Sequence, residues 1–374
     1  MSDLRPHQIK AKTRCTKITY ISVHNLVGYL VFLTSKSLWP LWQDFVASII
    51  LLYWSYPIFE EFDYLEFFAG VGNLTSQARA CGYKVARFDI LDNKRPQTRK
   101  SNFMDLTSRS GFALAILCLL RCRIGDFAAH FAIKCSSLCQ MNAGTSKRGA
   151  CCSIGYTEYL SVQISNILVE RTCLLILLCT ALGGVWTVEQ PLGSVLEFYP
   201  VWRNMMANIF GTGGIYAVAK VKWWMRHYGS QTPKRHYGYS NSGVVMRLDL
   251  GKLYATQRPP RSQRIRTADV YVDRSGTKRY KGNKNLRSTE IYPMRFARAL
   301  VDLLEEMKRT AKGMPQLPDV VPAALECFNE WPSDEQIGSY PFARVSQVFN
   351  YLRGNRKLKI PPEWRGSIPG MFPE

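Results

Sequence analysis

From Asp63 to Glu189 the chain alternates short apolar runs with longer segments whose apolar residues recur at helical spacing. Tyr64 to Ala69, Lys84 to Asp89, Phe127 to Ile133 and Val185 to Glu189 are rich in aromatic and aliphatic side chains and predict strands. Asn102 to Asp105 predicts one more, third in chain order. Helices are predicted over Asn73 to Cys81, Ser108 to Arg121 and Thr157 to Leu182. Parallel strands need a crossover, so this rhythm predicts an α/β fold, a doubly wound, Rossmann-like and mostly parallel sheet with helices on both faces. Further on, the pattern predicts a helix over Val201 to Phe210, a strand over Ile215 to Trp223 and a hairpin of Asp269 to Val272 with Lys278 to Tyr280, turning at Ser275-Gly276. Pro293 suits the first turn of a helix running to Arg309.

These elements divide the chain into an apolar, helical N-terminal extension (1–60), a Rossmann-like core (61–240), a basic insertion (241–290), a closing helix of the core (291–312) and a Pro-rich tail (313–374) with one helical segment near Phe342 to Leu352. Within the extension, Ile18 to Thr34 and Leu41 to Pro57 are apolar, but polar residues interrupt both: His24 and Asn25 in the first, Gln43 and Asp44 in the second. Helices packed on the core are preferred, with a membrane contact of residues 18–57 as the alternative. No internal repeat is present.

Composition narrows the class. With 374 residues, 47% of them hydrophobic and 21% charged, the chain can bury a full core, which excludes wholesale disorder and a fibrous architecture. The formal charge of +21 favours a polyanionic partner, and the stretch from Lys220 to Thr310 carries 21 basic against 7 acidic residues, so that partner is expected on one local surface. Arg258, Arg261, Arg264, Arg266, Arg274, Lys278, Arg279, Lys281, Lys284 and Arg287 are interleaved there with Tyr254, Tyr271 and Tyr280, a mixture suited to phosphates and stacked bases or to a solvated loop. Eleven cysteines are too few for a disulfide scaffold of this length and point to a reducing, intracellular compartment, nucleus or cytoplasm.

The first chemical signal is the run Glu66-Phe67-Phe68-Ala69-Gly70-Val71-Gly72-Asn73 at the carboxyl end of a predicted strand. Glycines there let the backbone approach a ligand, and in doubly wound sheets that crevice is the usual ligand site. Asp89 ends the next predicted strand, 17 residues after Gly72, within reach of ribose hydroxyls. Asp105 is expected at the following strand end, beside a base. The candidate cofactor residues are Glu66, Phe68, Ala69, Gly70, Gly72, Asn73, Asp89, Ile90, Asp105 and Leu106. Thr75 is small enough to leave a nicotinamide dinucleotide and S-adenosyl-L-methionine both open.

The run Glu66 to Asn73 resembles the first motif of the cytosine-C5 DNA methyltransferases, which belong to the class I S-adenosylmethionine-dependent methyltransferases. The resemblance implies S-adenosyl-L-methionine as cofactor, with Phe68, Gly70 and Gly72 around its methionine moiety and Asp89 at the ribose. Lys134-Cys135-Ser136-Ser137 and Val188-Glu189-Gln190-Pro191 follow in the family's order, the first in place of a Pro-Cys loop and the second in place of Glu-Asn-Val. The similarity implies that Cys135 attacks C6 of a base flipped from its stack and that Glu189 holds the ring at N3. Ser136, Ser137, Asn142, Gln190, Pro191, Lys234 and Arg235 are the candidate substrate residues, the last two from the weaker echo Tyr228 to Arg235. The likeness covers roughly residues 63 to 240 and implies nucleic acid as partner, DNA favoured over RNA. The chain departs from the family at Lys134, at Gln190-Pro191 and in the 54-residue interval from Cys135 to Glu189. The motifs Phe67 to Gly70, Cys135 to Ser137, Met141 to Ser146, Glu189 to Pro191 and Tyr292-Pro293 also resemble methyltransferase-like proteins of protists, dinoflagellates in particular, a likeness that implies the fold and no substrate.

Competing readings remain. Cys118, Cys122, Cys135, Cys139, Cys151 and Cys152 have spacings that permit zinc, but the first two fall among leucines, where cysteine serves as a small hydrophobe, and no metal is expected. His130 lies in an apolar strand and reads as structural. Trp223 and Trp224 suit either the core or base stacking. A degenerate methyltransferase fold that only binds nucleic acid or protein is the alternative to an enzyme, and methylation of a protein or small molecule is the third reading.

Overall fold

The computed structural model describes residues 49, 52, 60–92 and 104–311. The expected tail helix near Phe342 to Leu352 and nearly all of the N-terminal extension, including the membrane contact expected of residues 18–57, lie outside them. Within the extension, Ile49 and Leu52 are helical and buried in the main core cluster.

In chain order the elements are β1 (Tyr64–Phe67), α1 (Asn73–Ala80), β2 (Val85–Phe88), α2 (Arg109–Leu120), β3 (Ala128–Phe131), α3 (Ala143–Ser146), α4 (Leu160–Ala181) and β4 (Val185–Pro191), then α5 (Pro200–Gly213), β5 (Ala219–Trp224), β6 (Arg235–Ser240), β7 (Ala268–Val272), β8 (Lys278–Gly282), α6 (Lys284–Ser288), α7 (Met294–Asp302) and α8 (Leu304–Thr310). Six strands form one sheet in the order β2-β1-β3-β4-β6-β5. The first four are parallel, and β6 runs antiparallel to both β4 and β5. The molecule is therefore an α/β protein with a mostly parallel central sheet, compatible with a Rossmann-like fold. Because β1 has β2 on one side and β3 on the other, chain connections leave it in both directions, which opens a crevice at its carboxyl end.

Alternation along each strand assigns side chains to two cores. Leu65, Phe67, Ala129, Phe131, Trp186 and Val188 enter the larger one, with α2, α4 and α5. Tyr64, Ala128, Val185, Val221 and Trp223 enter the other, with α1, α7 and α8. Helix α4 is long and apolar enough to cross a membrane by length and composition, but 67% of its most apolar window is buried within the fold, as a core helix requires.

Three expectations need correction. No strand forms at Asp105: Met104 and Asp105 lie in a turn, and Asn102 and Phe103 fall outside the described residues. The Asp105 carboxylate accepts from the Thr107 amide (2.8 Å) and hydroxyl (2.7 Å), a local turn that displaces ladder pairing, and the Ser108 hydroxyl then caps α2 by accepting from the Gly111 amide. Second, β6 is a central strand that the pattern did not predict; its sequence RHYGYS alternates aromatic and polar residues around Gly238. A Cβ at Gly238 would lie 2.7 Å from the Val188 carbonyl oxygen and 3.0 Å from the Trp223 ring, so close strand packing requires the glycine. Third, the helix predicted from Pro293 to Arg309 is divided at Leu303 into α7 and α8.

The hairpin β7–β8 forms a separate two-stranded sheet close to the predicted bounds, with the side chains from Asp269 to Val272 exposed.

Candidate functional site

The turn after β1 is wound unusually tightly. Phe68, Gly70 and Gly72 all have positive φ, at 61°, 53° and 77°. The conformation suits glycine, whereas at Phe68 it is uncommon and costs about 1–3 kcal/mol, a form of strain that concentrates at ligand sites. A side chain at Gly72 would also meet Arg87 at 2.5 Å, while the space beside Gly70 is open to 4 Å. The Asp89 carboxylate accepts from the Gly70 amide (2.8 Å) and the Leu91 amide (2.9 Å), one bond per oxygen, so each oxygen keeps a lone pair for another donor. Ile90 is exposed beside it. Below the turn, Glu66 is buried, and one of its oxygens accepts from the Thr75 amide (2.7 Å) and hydroxyl (2.5 Å) while the other has no partner. Burial pushes the Glu66 carboxyl up to about 7.

A second group of residues gathers at the carboxyl ends of β3 and β4. Cys135 begins a turn after β3 in which its carbonyl accepts from the Leu138 and Cys139 amides at 2.9 Å. That turn is tied to the segment after β4, where the Val195 amide donates to Leu138 O (2.9 Å) and the Gln140 amide to Gly193 O (2.9 Å). Buried Gln190 donates to Ile133 O at 2.6 Å, and its own carbonyl oxygen has no partner. A hydrogen bond from the Cys139 thiol, with help from the Lys234 ammonium, holds the Cys135 thiol below its usual range, while the same pairing and burial drive Cys139 upward. Cys135, Glu189 and Lys234 act on one another electrostatically, which the separated motifs did not disclose.

Glu189 is the centre of a buried polar chain. One oxygen pairs with His236 Nδ1 and the other accepts from the Tyr292 hydroxyl at 2.7 Å. The same hydroxyl lies 3.2 Å from His130 Nε2, and His130 Nδ1 lies 2.7 Å from the Thr187 hydroxyl. Burial pushes the Glu189 carboxyl up, but His236, Lys234 and Tyr292 outweigh it and hold the group at about 2. It is a carboxylate at neutral pH. The Tyr292 carbonyl accepts from the Asn73 side chain at 2.7 Å, so a single tyrosine joins the glycine turn to Glu189. His236 carries no signal in the sequence, and the pairing of Tyr292 with Glu189 is visible only in three dimensions. His130, read as structural, belongs to this chain through its hydrogen bonds.

The other predicted residues divide between exposed and internal positions. Lys134, Ser136 and Asn142 are exposed, and the Asn142 side chain donates to the Ser136 carbonyl. Lys234 is half-buried, with Nζ 3.4 Å from the Thr289 carbonyl. Ser137 is buried and accepts from Arg148 at 3.2 Å. Ala69 and Leu106 are buried, and the Leu106 carbonyl accepts from Arg171 at 2.6 Å. Pro191 ends β4, paired with His236. Asp105 spends its carboxylate on Thr107. Burial pushes the Cys118 thiol up to about 11 and places Cys122 in the core. No protein-family model, curated protein or solved structure matches the chain.

Proposed function

We propose that this chain has a class I methyltransferase fold and transfers a methyl group from S-adenosyl-L-methionine to a nucleic-acid base by cytosine-C5-like chemistry, with DNA favoured over RNA by the family resemblance. The observation that carries the reading is the mutual electrostatic influence of Cys135 after β3, Glu189 in β4 and Lys234 before β6, with Glu189 joined through Tyr292 to the strained glycine turn. The residues present fit the cofactor: open space beside Gly70 admits a close ligand, and Asp89 keeps lone pairs for ribose hydroxyls. S-adenosyl-L-methionine, when bound, supplies an electrophilic methyl group. Cys135, with its lowered thiol pKa, supplies the nucleophile for C6 of the base. Glu189, ionised across the neutral range, accepts a hydrogen bond from the exocyclic amino group of the base and so orients the ring; it does not deliver a proton from its own carboxyl.

Tritiated S-adenosyl-L-methionine incubated with DNA, RNA and protein mixtures tests the proposal. Label is expected in nucleic acid and is expected to vanish in Cys135→Ser, with cofactor binding by calorimetry retained. Full incorporation by Cys135→Ser would exclude the C6-attack chemistry. The burial of Glu189 and its engagement by His236 and Tyr292 favour a second reading, a binding module without turnover, which predicts bound nucleic acid and no label in any polymer.

A further inference from the structure

On the face of the sheet away from α7, the edge pair β5–β6 sets cations and aromatic rings opposite one another: Lys220 against Tyr239, Lys222 against Tyr237, and Trp224 against Arg235. The two ends of this ladder differ in charge balance. At one end Lys220 lies over the rings of Tyr237 and Tyr239, at 5.4 and 5.5 Å, and its charge is matched by Glu197. At the other end the guanidinium carbons of Arg235 and Arg258 lie over the single indole of Trp224, at 5.2 and 5.9 Å from its centre. Neither arginine, nor Lys222, takes part in an ion pair among the described residues. Two like charges gathered on one ring repel each other, and cation–π attraction of about 0.5–2 kcal/mol each leaves the donor edges of both guanidinium groups unpaired. Arg226 fixes the arrangement by donating to the Gln257 carbonyl and the Ser230 carbonyl, both at 3.0 Å, which holds the segment bearing Arg258 against the end of β5.

We propose that Arg235, Trp224 and Arg258 form a clamp for the phosphodiester backbone of a nucleic acid, at the same end of the sheet as Glu189 and on the opposite face. The inference rests on the nucleic-acid part of the proposed function and adds residues to it. Guanidinium groups bind phosphate oxygens in pairs, and an indole offers a stacking face to a neighbouring base. The cations continue in two directions from the clamp. Lys222 follows on the same face of β5, and Lys234 precedes Arg235 in the chain and acts electrostatically on Cys135 and Glu189. A row of cations along an edge suits a chain of phosphates better than a single small anion, and Lys234, at one end of the row, is the residue that links it to Cys135 and Glu189.

Fluorescence anisotropy with a labelled DNA duplex, an RNA duplex of the same sequence and polyglutamate of matched charge, over a series of salt concentrations, tests the clamp. Arg235→Gln and Arg258→Gln are each expected to weaken nucleic-acid binding about tenfold and to reduce the slope of log affinity against log salt by about one. Trp224→Leu is expected to weaken binding without that full change of slope. Arg298→Gln, at an exposed side chain of α7 paired with Asp302, is expected to change neither quantity. Thermal melting of each variant separates loss of binding from loss of fold. Unchanged slopes in both arginine variants, equal binding of polyglutamate, or a wild-type chain that binds neither duplex at low salt would each overturn the clamp. Methyl transfer is read separately: absent label with the slopes as expected counts against turnover and leaves the clamp standing.

Discussion

Three buried ionisable side chains on one face of the sheet have been driven in different directions by their partners. Glu66 has one oxygen without a donor, so burial dominates and its carboxyl rises to about 7. Glu189 receives two donors and a nearby ammonium and is held at about 2 despite its burial. His130 is lowered to about 4 by burial. The signs give testable pH dependence. A carboxyl whose folded pKa is raised from 4.5 to about 7 favours folding fully below pH 4.5, and that contribution is lost as pH climbs through about 7. Glu66→Gln is therefore expected to leave stability near pH 4.5 almost unchanged and to raise it above pH 7 by up to about 3 kcal/mol, read from urea midpoints at the two pH values. A histidine lowered from 6.5 to about 4 acts in the opposite sense, so its contribution is lost as pH falls through that window, and His130→Gln is expected to flatten stability between pH 6.5 and 4. Equal pH dependence in wild type and variant would contradict either assignment. These directions were beyond reach of the sequence, because Glu66 within its apolar run and His130 between Ala129 and Phe131 look alike whether or not a partner waits across the sheet.

At the scale of elements, hydrophobic alternation served well where a strand is apolar on both faces and poorly where one face is functional. Strands β1, β3 and β4 were predicted from largely apolar runs, as buried parallel strands provide, and the edge strand β2 from the mixed run Lys84 to Asp89. Strand β6 escaped because it mixes core aromatics with polar side chains: Tyr239 packs against the larger core, while His236 pairs with Glu189 and Arg235 lies over Trp224. Its Gly238 makes the clearest prediction: Gly238→Ala places a methyl group 2.7 Å from the Val188 carbonyl, and a loss of about 1–3 kcal/mol is expected in chemical denaturation. Tyr292→Phe, which keeps the ring and removes the hydroxyl that donates to Glu189, is expected to cost about 1–2 kcal/mol and to lower methyl transfer more than cofactor affinity. Isothermal titration beside a rate measurement gives that comparison, and an equal effect on both would remove Tyr292 from the link between turn and carboxylate. The false strand at Asp105 illustrates the converse error, a short run around Phe103 and Met104 whose aspartate found a closer partner in the backbone and hydroxyl of Thr107.

For the molecule as a whole, the +21 charge and its concentration after Lys220 were legible from composition, since charge is counted without coordinates. The ribbon β7–β8 pairs only with itself and exposes most of its side chains, so it adds little to either core. Replacing Ala268–Gly282 with a short glycine-serine linker is expected to leave the melting temperature within about 3 °C of wild type and to weaken duplex binding several-fold at moderate salt. A large fall in melting temperature would instead make the ribbon a structural part of the fold.

Periodicity, glycine placement and charge are local properties of a chain, and they were enough to determine the alternating α/β layout, the ligand-approachable turn after β1 and the basic surface. Which buried carboxyl is ionised, which thiol is activated and which arginines lack an acid depend on atoms brought within a few ångströms from segments tens to hundreds of residues apart. Coulomb and hydrogen-bond energies at such distances exist only after the sheet has chosen its strand order, so only the tertiary structure decided them.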